Sequence, residues 1–271
     1  MNGGLKGLLT AAVLAAVGVG LYKLQVHGQP LPAIVPRTGD AHREVSSALD
    51  ARIGRFLDDR RAPANSAVKL VALTFDDGPY PVETPLLLDV LADLHVRATF
   101  FLVGDSAELF PRLAERIARD GHELANHTLT HPAHFESLDA AGVAAELDGA
   151  ARVLERFSDD PGIRTLMRPP HGRYTEYTVR AAQRAGYHFI LWNDDPGDWR
   201  ATTGSRLARH VETYASAPDI ILLHSGKIAT IDMLPEVVGR FRKAGFQFVT
   251  VSDLMARVSL GVIEHPAKTP L

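Results

Sequence analysis

The 271-residue chain has no cysteine. That absence removes disulfides, thiolate metal sites and cysteine nucleophiles, and with them several enzyme classes at once. An excess of charge of either sign is also missing: 29 basic against 32 acidic residues give a formal charge of −3 and an isoelectric point near 6.5. Without a broad basic field there is no electrostatic footing for nucleic acid, and a neutral substrate suits the chain better. There is no low-complexity tract and no internal repeat. Long apolar runs are scarce, and the exception is near the start. Gly7–Tyr22 is apolar except for Thr10 and the terminal tyrosine hydroxyl, and Lys6 and Lys23 flank it.

The 16 residues of that run sit at or just below the roughly 17–25 that span a bilayer, and exceed a usual signal-peptide core. An uncleaved anchor reads better than a cleaved signal, because Ala16-Val17-Gly18 is a weak cleavage pattern; either implies export, and a buried soluble helix is the remaining reading. His27–Asp40 carries Pro30, Pro32 and Pro36 and reads as an extended linker. Val45, Leu49, Ile53 and Phe56-Leu57 recur at helical spacing, which predicts an amphipathic helix from about Ala41 to Arg60. It would pack on the body of the protein or, alternatively, lie on a membrane.

From Val68 onward short apolar runs alternate with helical patterns, the signature of a parallel α/β sheet or barrel. Strands are expected at Val68–Phe75, Ala98–Val103, His122–Ala125, Thr165–Arg168, His188–Trp192, Ile220–His224 and Phe246–Val251. Helices are expected near Thr84–Leu94, Ala107–Asp120, Ala140–Phe157, Thr175–Ala185, Ser205–Ala215 and Leu234–Ala244, with Thr84 as a cap. Gly121, Gly186 and Gly245 each stand between a helix and a strand, where a left-handed residue lets the chain leave a helix.

Polar groups gather at the ends of these strands, where α/β folds place their chemistry. Asp76 and Asp77 end the first strand before Gly78-Pro79. Adjacent carboxylates repel unless a cation takes one and leaves the other as a base. His127 and His131, four apart, would share one face of a helix and converge on an ion, although two histidines at this spacing among 12 is also an ordinary coincidence. Asp77 as a third ligand would leave a position open for water on zinc or a similar ion. Arg168 leaves the fourth strand before two prolines that fix the backbone, so it is either aimed at a carboxylate or a surface residue before a turn. Trp192-Asn193-Asp194-Asp195-Pro196-Gly197-Asp198-Trp199 joins aromatic walls to acids, and His224 ends a buried strand. Aromatic faces of this kind suit sugar rings, with core packing as the plainer role of Trp192.

The order of these motifs resembles the polysaccharide deacetylases of the NodB-homology type, carbohydrate esterase family four. The likeness runs from about Val68 to Leu254 through Thr74-Phe75-Asp76-Asp77-Gly78-Pro79, His127-Thr128-Leu129-Thr130-His131, Arg168-Pro169-Pro170-His171-Gly172, Asp195-Pro196-Gly197-Asp198-Trp199 and Leu222-Leu223-His224. It implies a distorted (β/α) barrel of about seven strands, placed at 67–262; the residue patterns above put a membrane helix or signal at 1–26 and a linker with the amphipathic helix at 27–66, with a tail at 263–271. It implies metal-dependent removal of N-acetyl groups from an amino-sugar polymer, peptidoglycan or another N-acetylglucosamine polysaccharide, outside the cytoplasm, on a membrane anchor or secreted. Asp77, His127 and His131 would hold a divalent metal, zinc foremost with Co, Ni, Fe or Mn as alternatives. Asp76 would be the base, Arg168 its orienting partner, His224 the acid and Asp195 the group that tunes it. The His171 N–H would meet the oxyanion, and Leu222 and Trp199 would line the acetyl pocket.

Two positions depart from the family pattern: His171 stands where an aromatic residue, commonly Tyr, is usual, and Ser225 where Asp is frequent. The rival readings are a deacylase or deformylase of a lipid-linked amino sugar or other small amide, and a carbohydrate-binding module without turnover.

Overall fold

The computed structural model describes residues 69–200, 202–215 and 217–260. The apolar segment at 7–22, the linker, the helix expected at 41–60 and the tail at 263–271 lie outside the described residues. Among the described residues no helix is long and apolar enough to cross a membrane.

Strand β1 (Lys69–Asp76) leads into α1 (Glu83–Asp93), β2 (Thr99–Leu102), α2 (Gly104–Leu109), α3 (Pro111–Arg119) and β3 (Glu123–Asn126). Then come α4 (Ala140–Leu154), α5 (Gly162–Thr165), β4 (Leu166–Met167), α6 (Glu176–Arg184), β5 (His188–Phe189) and α7 (Gly204–Tyr214). The series ends with β6 (Asp219–His224), α8 (Ile228–Lys243), β7 (Phe246–Phe248) and α9 (Val251–Leu260). All strand pairs are parallel, in the order β5-β4-β3-β2-β1-β6, with β7 on the first half of β1. The sheet is therefore the curled, incomplete (β/α) barrel of seven strands that the alternation of elements implied.

Alternation along β1 sorts its side chains. Val71, Leu73 and Phe75 join Phe100, Leu102, Ile221 and Leu223 beneath α1, α7 and α8. Ala72 faces the other way with Phe101, Ala125, Met167, Ile220 and Leu222. Period-two geometry then puts Thr74 and Asp76 on the Ala72 face. Register does the rest: Asp76 pairs with Phe101 on one side and with His224 on the other. An acid and a histidine 148 positions apart in the chain are thus neighbours at the same strand ends.

Several expected boundaries move, each for a local reason. The single helix expected over Ala107–Asp120 is two, because Phe110, held out of helical geometry before Pro111 (φ −123°, ψ 60°), breaks it. Helix α8 starts at Ile228 and runs through Pro235, its buried face of Ile231, Met233, Leu234, Val237 and Val238 overriding the proline. The last strand ends at Phe248, and α9 follows with Thr250 Oγ1 accepting the Asp253 N–H at 3.2 Å, a threonine cap three residues before an acid. Thr84 is no cap: it is the second residue of α1, and its hydroxyl accepts the Tyr80 N–H at 2.8 Å.

At the opposite ends of the strands, Thr99 Oγ1 donates to buried Glu123 Oε2 at 2.6 Å and accepts the Val251 N–H at 2.9 Å. Glu123 also accepts the Ser252 N–H at 3.3 Å. This junction fastens α9 to β2 and β3, away from the Asp76 end. Thr99→Val, which keeps the shape and deletes the hydroxyl, is expected to cost about 1–3 kcal/mol, the range for stranding buried polar groups. Denaturant unfolding checks this; turnover measured on the folded protein is expected to stay unchanged.

Candidate active site

Two adjacent aspartates on a straight strand would point to opposite faces. They meet here because the chain turns into the left-handed region at Asp77 (φ 66°) and Gly78 (φ 64°) directly after the strand. His127 Nε2 then lies 3.8 Å from Asp76 Oδ2 and 3.6 Å from Asp77 Oδ1. His131 Nε2 is 3.4 Å from the same Asp77 oxygen.

The two histidines do not reach this point from a helix, as their spacing suggested. Residues 127–131 form an irregular turn with left-handed Thr128 (φ 70°) and His131 (φ 53°). Glu146 of α4 holds it, accepting the N–H groups of Leu129 at 3.0 Å and Thr130 at 2.9 Å. Asn126 Oδ1 accepts the Thr128 N–H at 2.9 Å. The rings still converge, 4.9 Å between centroids. Glu146 was invisible as a site residue in the sequence, since it reads as one polar position on an amphipathic helix.

Arg168 fills the interior beneath the acids and is fully buried. Its guanidinium donates to Asp76 Oδ1 at 2.6 Å, Thr74 Oγ1 at 2.8 Å, the Leu191 carbonyl at 3.0 Å and the Ile190 carbonyl at 3.1 Å. Phe101 stacks below it, 4.1 Å from ring centre to Cζ. The arginine is therefore aimed at a carboxylate, the first of its two sequence readings. Its own carbonyl accepts from His127 Nδ1 at 2.8 Å. A carbonyl can only accept, so a proton is on Nδ1, and Nε2 is the ring atom turned toward the aspartates.

On the other side, His224 Nδ1 meets Asp198 Oδ1 at 2.7 Å, and the His224 N–H donates to Asp198 Oδ2 at 2.7 Å. Thr230 Oγ1 donates to that second oxygen at 2.6 Å. This corrects the expectation that Asp195 tunes the histidine. Asp195 uses its carboxylate on the Gly197 N–H at 2.8 Å, the local turn that Asp-Pro-Gly favours. The Asp-Pro-Gly turn signature was present in the sequence, but the partner of His224 was not.

Electrostatics follow from these contacts. Burial alone would lower the His224 pKa, but the hydrogen bond and charge of Asp198, with Asp76 and Asp77 beyond, raise it to about 9. Burial works to raise the Asp77 pKa, and hydrogen bonding to His127 with the charges of His127, His224 and His131 holds it lowered instead. His131 is lowered to about 4 by burial and by His127, so it is neutral near pH 7 and offers a lone pair. Tyr80, which the motifs did not single out, is pushed up to about 12 by burial and by Asp77.

The residues fit a divalent ion. Asp77, His127 and His131 each bring a ligand atom within 4.8 Å of the others. A tetrahedral ion with bonds near 2.1 Å separates its ligand atoms by roughly 3.4 Å. The observed 3.4 and 3.6 Å from Asp77 Oδ1 to the two nitrogens match that spacing.

The remaining expected residues lie around this centre. His171 is exposed and left-handed (φ 56°), with its ring edge-on to His131 at 4.7 Å; burial and Arg173 lower its pKa. Trp199 is 49% exposed next to the clamp aspartate, and Leu222 is buried two register positions before His224. Ser225 supplies its own link: its hydroxyl donates to the carbonyls of Asp76 at 2.9 Å and Asp77 at 3.2 Å, so the chain around His224 is tied to the acid turn.

The polysaccharide deacetylase family model matches residues 64–190. A peptidoglycan-N-acetylglucosamine deacetylase of Bacillus cereus is 36% identical over 192 residues, 69% of this chain and 88% of that protein. A chitooligosaccharide deacetylase of a Bradyrhizobium species is 37% identical over 161 residues, covering 59% and 73%. Among solved structures, the peptidoglycan deacetylase PdaC from Bacillus subtilis superposes with a TM-score of 0.65 at 28% identity, over 73% of this chain and 95% of that one. With the acid turn, the histidine pair, the buried arginine and the clamped histidine all at the ends of one curled parallel sheet, the chain belongs to the NodB-homology polysaccharide deacetylases of carbohydrate esterase family four.

Proposed function

We propose that this protein uses a divalent metal, zinc foremost, to hydrolyse N-acetyl groups from an N-acetylglucosamine polymer of the cell envelope, peptidoglycan above all, and releases acetate. The carrying observation is the meeting of three ligand atoms between a base and an acid of opposite character: Asp76 pinned by Arg168, and His224 clamped by Asp198. The relatives named above act on peptidoglycan and chitooligosaccharide, which supports the substrate class. The apolar Gly7–Tyr22 segment supports a place outside the cytoplasm, on a membrane anchor or after secretion.

Asp77, His127 and His131 would hold the ion, which supplies Lewis-acid polarisation of an amide carbonyl and acidifies water when bound. Asp76 has one oxygen committed to Arg168 and the other turned toward the ligands, so it is placed to take the proton of an attacking water. An amine leaves poorly unless protonated. His224, kept cationic by Asp198, is the group that gives that proton. The His171 N–H is the donor proposed for the developing oxyanion, with Trp199 and Leu222 beside the acyl group.

Acetate release from peptidoglycan and chitin oligomers, lost on chelation and restored by zinc, tests the reading. Release of formate from a formylated amino sugar, with no acetate from either polymer, would sink it. Asp76→Asn is expected to abolish turnover with the metal still bound, and Asp77→Asn to lose both, as metal analysis of the purified variants will show. Arg168→Ala, by leaving a buried carboxylate unpaired, is expected to cost roughly 3–5 kcal/mol of stability as well as activity.

The pH profile tests the acid. Only protonated His224 can donate, so kcat/KM on an amide should fall as pH rises through its pKa. Removing the negative charge in Asp198→Asn should shift that alkaline limb to lower pH by about one unit or more. His224→Ala should impair amide cleavage far more than cleavage of an activated ester, whose leaving group needs no proton; equal losses on both would count against the assignment.

A further inference from the structure

The turn that carries His127 and His131 is held from outside itself on three sides. Thr128 and His131 both take left-handed backbone, with φ 70° and 53°, a region that residues with a Cβ seldom adopt without outside support. Hydrogen bonds give that support along the backbone. Glu146 Oε2 accepts the N–H groups of Leu129 at 3.0 Å and Thr130 at 2.9 Å, while its Oε1 accepts from Thr130 Oγ1 at 2.8 Å. From the other direction, the N–H groups of Gly104 and Asp105 donate to the Thr128 and Leu129 carbonyls at 3.0 and 2.9 Å. The third hold is the Leu129 side chain. It fits between α2 and α4 at two glycines: a Cβ at Gly149 would stand 2.7 Å from Leu129 Cδ2, and a Cβ at Gly104 would stand 2.8 Å from Cδ1, closer than side chains pack.

The two histidines depend on this hold unequally. His127 follows β3 directly, and its ring is fixed by the Arg168 carbonyl at 2.8 Å. His131 lies at the far end of the turn, its N–H donating to Thr128 Oγ1 at 3.2 Å within the turn itself. The place of its Nε2, 3.4 Å from Asp77 Oδ1, therefore follows from where the turn is set. Helix α4 can set it, because its buried face of Val143, Leu147, Ala150 and Ala151 is packed into the body. We propose that Glu146 and Leu129 are positioning residues for the cation site: together they seat the 127–131 turn on α2 and α4, so that His131 Nε2 meets His127 and Asp77 already at ligand spacing. The inference rests on the metal-binding reading above, and both residues act through the histidine without touching the ion. A ligand set held in place loses little freedom when an ion binds, so such a hold is read in affinity.

Zinc competition against a chromophoric chelator, on the full chain and below the unfolding temperature of every variant, reads this role without relying on turnover. Wild type should bind one zinc and Asp77→Asn should lose it; a wild type that binds none overturns the metal reading and this inference together. Glu146→Ala and Gly149→Ala should each weaken zinc by about tenfold or more, the usual effect of losing a partner of a metal ligand. The second change raises helix propensity in α4, so its effect comes from filling the slot of Leu129 and not from a weaker helix. Glu146→Gln should keep wild-type affinity, because its amide oxygen still accepts both N–H groups and its NH2 can donate to Thr130 Oγ1. Thr99→Val, which loosens the far end of the strands, should lower the melting temperature and leave zinc affinity unchanged, separating a hold on the ligands from general stability. Equal losses in Glu146→Ala and Glu146→Gln would make the charge of Glu146 the cause and overturn its positioning role. Wild-type affinity in Glu146→Ala or in Gly149→Ala overturns the role of Glu146 or of Leu129 and leaves the metal reading intact. The Glu146→Gln and Gly149→Ala variants decide the question even where Glu146→Ala fails to fold.

Discussion

The ion pair between Arg168 and Asp76 is the constraint on which the rest of the site depends. A guanidinium with no exposure to solvent is costly to bury, and it is retained only where every donor finds an acceptor. Here the acceptors come from β1 and from the segment after β5, through Asp76, Thr74, Ile190 and Leu191. The same residue offers its carbonyl to His127 Nδ1. One arginine thus fixes both the proposed base and the tautomer of a proposed ligand, and its aromatic floor of Phe101 and Trp192 keeps water from its face.

Around that pair the sheet acts as a ruler. Parallel pairing of β1 with β6 in a single register places His224 beside Asp76, and the left-handed turn at Asp77 brings a second carboxylate to the same side. The site then holds two carboxylates and a cationic histidine in one half-buried space. Asp198 reconciles them by keeping its charge on the far side of the imidazole, with Thr230 and the His224 N–H fixing both of its oxygens. The acids and the histidine support each other's charged forms, which suits a reaction that begins by taking a proton and ends by giving one.

The departures from the family pattern are absorbed differently. Ser225 replaces a carboxylate with a hydroxyl and turns it to the acid turn, where two carbonyls need a donor. His171 takes a left-handed backbone in the turn after β4 and sets an imidazole edge against His131 in place of a larger ring. The first change is internal and ties the turn after β6 to the acid turn; the second is exposed.

The sequence by itself determined the α/β class, the seven strands and the strand ends at which chemistry gathers, because apolar periodicity and turn residues are local properties. It also marked Asp76, Asp77, His127, His131, Arg168 and His224, since each lies at the end of an expected strand or within a few residues beyond it. Only the tertiary structure decided which acid serves His224: Asp195 closes a turn and Asp198 is buried on the histidine, a distinction that depends on where β6 and α8 lie. It likewise decided that the two histidines converge from an irregular turn held by Glu146. Those contacts join residues far apart in the chain, and no local spacing encodes a partner that arrives from another strand.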